Sequence, residues 1–316
     1  MKDNIVHRLG KKYEVRMSDL LFFNTLRGLA VFIILIFVSL FIYLSWSSSE
    51  TFKKIGISFF FQQTWSPTTS HFGALPFIYG TVVSSLIALI ISVPVSVGSA
   101  LFLTEVGPRF LRRPVRMLIE LLAAIPSVVY GLWAIFVLAP FVKDHVQPVL
   151  RAISPPGFPL FEGPPFGLGL FTAGLVLAIM ITPTITTICV EIFRSIPTIY
   201  REGAKALGAT PWETIKLAVL GPGLTGIFSA VILGLGRAMG ETMAVTMVIG
   251  NRADISTSLF SPAATMASVI ANEYAEAAPG LHMASLSAVG LALLIVSMLV
   301  NGFARAIIWH IQRQAR

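Results

Sequence analysis

Arg237 and Glu241 stand four residues apart inside a stretch, Leu224 to Ile249, that is otherwise uncharged. A charge at the centre of a bilayer costs about 2.5–3.5 kcal/mol on insertion scales, so residues of this kind face a polar cavity and mark a transport path. Helical i,i+4 spacing puts both on one face, where they can pair. A guanidinium is always charged and presents a planar donor fork matched to phosphate oxygens. The pair fits two roles. In one, Arg237 is a waystation for an anion, Glu241 holds it in place while the path is empty, and a second cation from a neighbouring subunit makes the assembled path net positive. In the other, the pair is a lock that only orients helices. Ser127, Tyr130, Thr242 and Thr246 can add hydroxyls, and Ser127 and Thr242 are the two taken as path candidates. Hydroxyls in apolar helices commonly bond back to their own backbone, which is the plainer use for all four.

The elements that must hold these residues are apolar spans. Of 316 residues, 55% are hydrophobic and 12% charged, where a soluble domain carries about 25%. Six stretches have the roughly 20 apolar residues that cross a bilayer. They run from about Leu26 to Trp46, Phe77 to Leu103, Leu118 to Phe141, Phe166 to Val190, Leu224 to Ile249 and Met283 to Ile308. Pro94, Pro126 and Pro183 fall inside spans, where neighbouring helices or hydroxyls can satisfy the carbonyls they free. Gly236 and Gly240, four apart, read as close-packing positions. The expected fold is an all-α integral membrane protein with six transmembrane helices. Residues 1–25 form a polar tail and 26–76 the first helix and an external loop. Residues 77–308 form a five-helix transmembrane domain, and 309–316 a short second tail.

Basic residues divide unequally between the two sides of these spans. Seventeen lie in the N-terminal tail through Arg27, in Arg109–Arg116, in the loop between the fourth and fifth spans, and after the sixth. Only Lys53, Lys54, Lys143, Arg151 and Arg252 fall on the other side. The positive-inside rule places both termini in the cytoplasm. Scattered in short clusters, the net charge of +8 forms no nucleic-acid surface. The first apolar run follows a polar tail and precedes no small-residue cleavage site, so no secretory leader is expected. The lone Cys189 reads as a small buried residue. Prolines 155, 156, 159, 164 and 165 predict an irregular external cap. Ser256 to Asn272, uncharged and rich in small residues, is either a short helix dipping into the outer surface or an ordinary loop.

The loop at about 191–216 predicts two helices meeting at a corner. Pro197 can open the first, and Gly208 can close it in a left-handed cap. Thr210, Pro211 and Glu213 have the spacing of a capping box for the second. Such a corner presents a rigid knob to a partner.

Glu202-Gly203-Ala204, followed three residues later by Leu207-Gly208, resembles the coupling loop of permease subunits in ATP-binding-cassette importers, with Gly203 where an alanine is usual. Glu120–Gly131, Gly234–Val245 and Ala271–Ala277 are similar to segments of the phosphate-specific transport system, its C-type permease in particular. The resemblance covers roughly residues 70–305. It implies a type I importer permease bundle with a cytoplasmic coupling helix in the inner membrane of a bacterium. It further implies phosphate as substrate, a sister permease, two ATPase subunits and an external phosphate-binding protein. Glu202, Gly203, Ala204 and Gly208 would then engage the ATPase.

The chain itself has no G-x-x-x-x-G-K-[ST] loop, so ATP and Mg²⁺ are expected on the partner and no cofactor here. Histidines 7, 71, 145, 282 and 310 have no metal spacing, and no catalytic constellation stands out. Other oxyanions such as sulfate or molybdate fit the same class. A proton-coupled secondary transporter using Glu241 and a membrane-embedded sensor are the readings from other classes. The former often shows inverted repeats, which are not evident here.

Overall fold

The computed structural model describes residues 17–155 and 159–314. The basic tail up to Arg16, Pro156 of the proline-rich cap and the final Arg316 lie outside the described residues. Contacts divide the chain into residues 1–47 and 48–316. Among its described residues the first unit is a single helix, α1 (Met17–Ser47). Among the described residues, six helices are long and apolar enough to cross a membrane.

The second unit is built around α6 (Leu170–Ser195), two-thirds of whose apolar window (67%) is buried. Its neighbours are α3 (Leu75–Val106) and α8 (Pro211–Met239). Small residues set these contacts. A methyl on Gly174 would stand 2.7 Å from Ile87 Cβ of α3, and one on Gly234 of α8 2.7 Å from Ile185 Cδ1 of α6. Pro94 and Pro183 lie within unbroken helices. Cys189 is fully buried in this core, as its position predicts.

Two expected spans are broken. The stretch read as Leu118–Phe141 is two helices, α4 (Arg109–Ala124) and α5 (Ser127–Ile153). Ile125 and Pro126 between them are extended, with ψ of 129° and 143°. Proline has no N–H, so the Leu122 carbonyl loses its helical donor. It receives the Tyr130 hydroxyl at 2.7 Å instead. Glu120 therefore belongs to α4, where it accepts from Arg116 at 2.8 Å. Arg116, Ile119 and Glu120 line a narrow gap with Thr186, Thr187, Val190 and Glu191, which lays α4 along the Ser195 half of α6.

The stretch read as Leu224–Ile249 is also interrupted. Helix α8 begins much earlier, at Pro211, and ends at Met239. Gly240 (φ −92°, ψ −1°), Glu241 and Thr242 (φ −108°, ψ −63°) leave the helix before α9 (Met243–Val248) resumes. Helices α9 and α5 pack together where Gly131 faces Ala244 and Met247; a methyl on Gly131 would lie 2.5 Å from Met247 Sδ and 3.1 Å from Ala244 Cα. The far end of α9 is tied to the head of α6, Gly169 N–H donating to the Val248 carbonyl at 2.9 Å. A methyl on Gly236 or Gly240, by contrast, would meet no other element among the described residues. Helix packing in this span uses Gly223, Gly226 and Gly234 instead, which sit opposite Phe193, Ile192 and Ile185.

Near the Leu170 end, α10 (Met266–Glu273) resolves the choice left open for Ser256–Asn272. Thr265 and Ser268 cap it reciprocally, and Met266 to Val269 are buried. Met266 N–H donates to Thr81 Oγ1 of α3 at 2.9 Å. Glu273, its last residue, accepts the Trp65 indole N–H at 3.0 Å and bonds His282 of α11 (Leu281–Gln314), also at 3.0 Å. These bonds fasten the 47–76 loop, which contains the short helix α2 (Ser49–Lys54), to the bundle.

Overpacking a filled contact costs roughly 1–3 kcal/mol, so Gly131→Val should lower the melting temperature of the detergent-solubilised chain. Gly236→Ala, in open space, should leave it unchanged or raise it. Equal melting temperatures for Gly131→Val and the parent would contradict the α5–α9 contact.

Candidate functional site

The break in α8 decides what Arg237 touches. Arg237 lies in the last turn of α8, and Glu241 lies past the end of that helix. The two do not share a helical face and form no ion pair in the structure. Arg237 Nη1 instead donates to Thr184 Oγ1 of α6 at 2.9 Å. Glu241 Oε1 accepts the Ala244 N–H at 3.3 Å and so serves the first turn of α9, whose N–H groups have no helical acceptor. The expected Arg237–Glu241 lock is thereby corrected to an Arg237–Thr184 contact between helices and a Glu241 cap.

Thr184 is the fifteenth of the 26 residues of α6, so the guanidinium lies near mid-span. The Arg237 side chain is exposed on the chain's surface, beside the unfilled faces of Gly236 and Gly240. It is within electrostatic reach of Tyr130, one turn into α5. Ser127 heads α5 and is half-buried. A helix N-terminus directs unsatisfied N–H groups and the positive end of its dipole outward, which suits an anion. Thr242 is half-buried in the second break and its hydroxyl donates to the Gly240 carbonyl at 3.3 Å, the local use foreseen for it. The Thr246 hydroxyl is enclosed, with no hydrogen-bond partner among the described residues. The structure thus gathers Arg237, Glu241 and Thr242 at one helix break. Ser127 stands at another, on the helix that packs against α9.

The corner at the Ser195 end forms as its capping residues dictate. Helix α7 (Thr198–Ala206) starts one residue after Pro197, which stands just outside it and not at its first position. Gly208 has φ +83°. Gly208 N–H bonds the Lys205 carbonyl at 3.0 Å, and Ala209 N–H that of Ala204 at 3.1 Å. That bond pair is the Schellman closure, which requires the left-handed residue. Thr210 then opens α8, its N–H donating to Glu213 Oε2 at 2.8 Å while Glu213 N–H returns to Thr210 Oγ1 at 3.4 Å. Glu202 and Gly203 are exposed and Ala204 is half-buried. Around them the corner displays Ile199, Tyr200, Leu207 (91% exposed) and Trp212. Such large apolar groups, uncovered on a rigid knob, are the marks of a docking surface.

Residues 92–312 match the family described as Binding-protein-dependent transport system inner membrane component. The Phosphate transport system permease protein PstC of Mesorhizobium japonicum is 46% identical over 93% of this chain and 91% of its own length. PstC of Haemophilus influenzae is 44% identical over 96% of this chain and 97% of its own. The chain belongs to the PstC permease family. Solved importers share the fold. The inward-facing MetNI methionine ABC transporter covers 75% of this PstC-family chain and 94% of its own, at 22% identity and a TM-score of 0.52. The bacterial alginate ABC transporter, in complex with an alginate pentasaccharide-bound periplasmic protein, covers 93% and 96%, at 17% identity and 0.63. The architecture is that of a type I importer permease, an inner-membrane component.

Three residues whose contacts shape the site and the corner escape sequence reasoning. Thr184 holds Arg237, and its only signal is the hydroxyl-rich run Thr182-Pro183-Thr184 in the fourth span. Glu105 and Arg201 form a half-buried ion pair across 96 positions, with side chains 16% and 17% exposed. Glu105 is the acid that closes an apolar span, and Arg201 immediately precedes Glu202.

A cysteine at position 236 should test the open face directly. In the detergent-solubilised chain, Gly236→Cys should react rapidly with a charged methanethiosulfonate reagent, while the parent, with buried Cys189 alone, stays unlabelled over the same interval. The reverse pattern would close the face.

Proposed function

We propose that this chain is the translocation subunit of an ATP-driven importer that carries inorganic phosphate inward across the bacterial inner membrane. The observation that carries this reading is the placement of Arg237. Its guanidinium lies near mid-span, on an open face, hydrogen-bonded to a neutral hydroxyl and not to a carboxylate. One of its five N–H donors serves Thr184, and the rest of the fork is available to oxyanion oxygens. Glu241 turns its carboxylate to the α9 backbone, so it supports the break without occupying the fork. Ser127 and the head of α5 add hydrogen-bond donors, and the dipole at that end reinforces the attraction for an anion. Interrupted spans with helix ends at mid-membrane are how transporters present such donors to anionic substrates.

The open face calls for a second wall. A sister permease supplies it, together with a further cation that makes the enclosed path net positive. The basic end of the bundle, with Arg109–Arg116, Arg194, Arg201 and Lys205, faces the cytoplasm together with both termini. The α7–α8 corner there docks into an ATPase subunit, one of two in the complex, with Leu207 and Trp212 as apolar anchors and Glu202, Gly203, Ala204 and Gly208 shaping the knob. ATP and Mg²⁺ bind on those subunits. An external phosphate-binding protein delivers substrate at the opposite end, where α10 and the 47–76 loop form the surface. Hydrolysis belongs to the partners and passage to this chain.

Labelled-phosphate uptake by the reconstituted complex, with ATP hydrolysis followed in parallel, tests the path. Arg237→Gln should reduce uptake roughly 10- to 150-fold, the worth of hydrogen bonds to a charged group, while ATP hydrolysis persists. Glu241→Gln should reduce it less, because that side chain caps a helix and does not clamp the arginine. Normal uptake by the Arg237 variant would remove Arg237 from the path, and competition by sulfate as strong as by phosphate would move the substrate to oxyanions at large. At the corner, Gly208→Val places a β-branched residue at positive φ, a strain of about 1–3 kcal/mol. The ATPase should then be lost from the purified complex, and its full retention would argue that docking lies elsewhere.

A further inference from the structure

Helix α7 buries none of its own residues. It rests against the start of α8, and among the described residues its side-chain hydrogen bonds to the bundle all come from Arg201. Arg201 Nη2 donates to Glu105 Oε1 at 2.8 Å, and Nε lies 3.2 Å from both carboxylate oxygens. The same guanidinium donates through Nη1 to the Ile196 carbonyl at 2.9 Å and through Nη2 to the Phe193 carbonyl at 2.8 Å. Those carbonyls belong to the end of α6, where helical donors run out and a cation is favoured. No other side chain of α7 hydrogen-bonds a spanning helix among the described residues.

Glu105 is itself tightly placed. It sits in the i→i+5 turn Phe102–Val106 that closes α3, where Gly107 N–H bonds the Phe102 carbonyl at 2.7 Å. Arg112 of α4 reaches back over that turn, donating to the Gly107 carbonyl at 2.7 Å and to the Glu105 carbonyl at 3.4 Å. A displacement of Arg201 therefore acts on α6, on the end of α3 and, through Arg112, on α4. Helix α4 leads directly into the Ile125–Pro126 break ahead of Ser127.

We propose that the Arg201–Glu105 pair is the link through which movement of the corner is delivered to α3 and α4, so that cutting it separates ATP hydrolysis from phosphate passage. This rests on the importer reading above. The bidentate fork fixes direction as well as distance, which a lysine ammonium does not. Loss of either partner strands a half-buried charge and frees α7 to move without the bundle. Arg201 and Glu105 are positioning residues: neither touches substrate.

The test uses the whole importer with its binding protein, reconstituted in vesicles, and reads phosphate taken up per ATP hydrolysed. Glu105→Gln and Arg201→Lys complexes should retain the ATPase subunits on purification and hydrolyse ATP at a rate near the parent's. Uptake per ATP should fall about tenfold, the scale of ordinary coupling between sites. Glu105→Asp, which keeps the charge, should retain more coupling than Glu105→Gln. An unchanged ratio in either Glu105→Gln or Arg201→Lys would sink the link. So would uptake and hydrolysis falling together at constant ratio, or loss of the ATPase subunits from both variants, since these assign the pair to folding or docking. A parent complex with no ATP-driven phosphate uptake would remove the importer reading and the link together, whereas a transporting parent with an unaltered Glu105→Gln ratio removes the link alone.

Discussion

Inside a bilayer the peptide groups have no water to bond, so every interruption of a helix must be repaired by the protein itself. This chain interrupts two of its spans, and the repairs decide where its polar side chains go. At Ile125–Pro126 the freed Leu122 carbonyl takes the Tyr130 hydroxyl, which fixes Tyr130 and leaves Ser127 at the head of a new helix. At Gly240–Thr242 the first turn of α9 takes the Glu241 carboxylate. Arg237 is thereby left without the acid nearest to it in sequence and bonds Thr184 across to the central helix. The availability of a mid-span guanidinium is thus a by-product of backbone hydrogen bonding as much as of side-chain chemistry.

The glycines separate into two groups with different uses. Gly223, Gly226 and Gly234 let α8 close on α6, and Gly131 lets α5 close on α9. Gly236 and Gly240 are bare on the face that carries Arg237. Had larger side chains stood there, they would screen the guanidinium from whatever lies alongside. Packing on one side of α8 and vacancy on the other follow from residues two positions apart.

Much of this was legible from residue order because the forces involved are local. Helix caps act within four residues, so Gly208, Thr210 and Glu213 specify the corner without reference to the rest of the fold. Apolar run length specifies the spans, though the first helix begins before its apolar stretch, and the fifth starts at the Thr210–Glu213 capping box and runs on through Gly221-Pro222. The i,i+4 spacing of Arg237 and Glu241 does not yield a pair because that geometry presupposes an unbroken helix, and the break is marked in sequence by no more than Gly240 and a following Glu-Thr. Pro126 announced a disturbance, but a kink and a full break differ only in the Ile125 backbone, which neighbours determine. Thr184 and the Glu105–Arg201 pair are contacts between residues 53 and 96 positions from their partners. No local pattern encodes them.

The early start of α8 has a mechanical meaning. Because the helix begins at the corner's own cap and runs on to Met239 through one i→i+5 turn at Lys216–Leu220, Pro211 and Arg237 are ends of one continuous helical rod about 39 Å long. Pivoting that rod by about 5° at the knob would swing its far tip through roughly 3 Å, the span of a single hydrogen bond. A small rotation imposed at the surface is therefore enough to make or break the grip of the guanidinium on an oxygen.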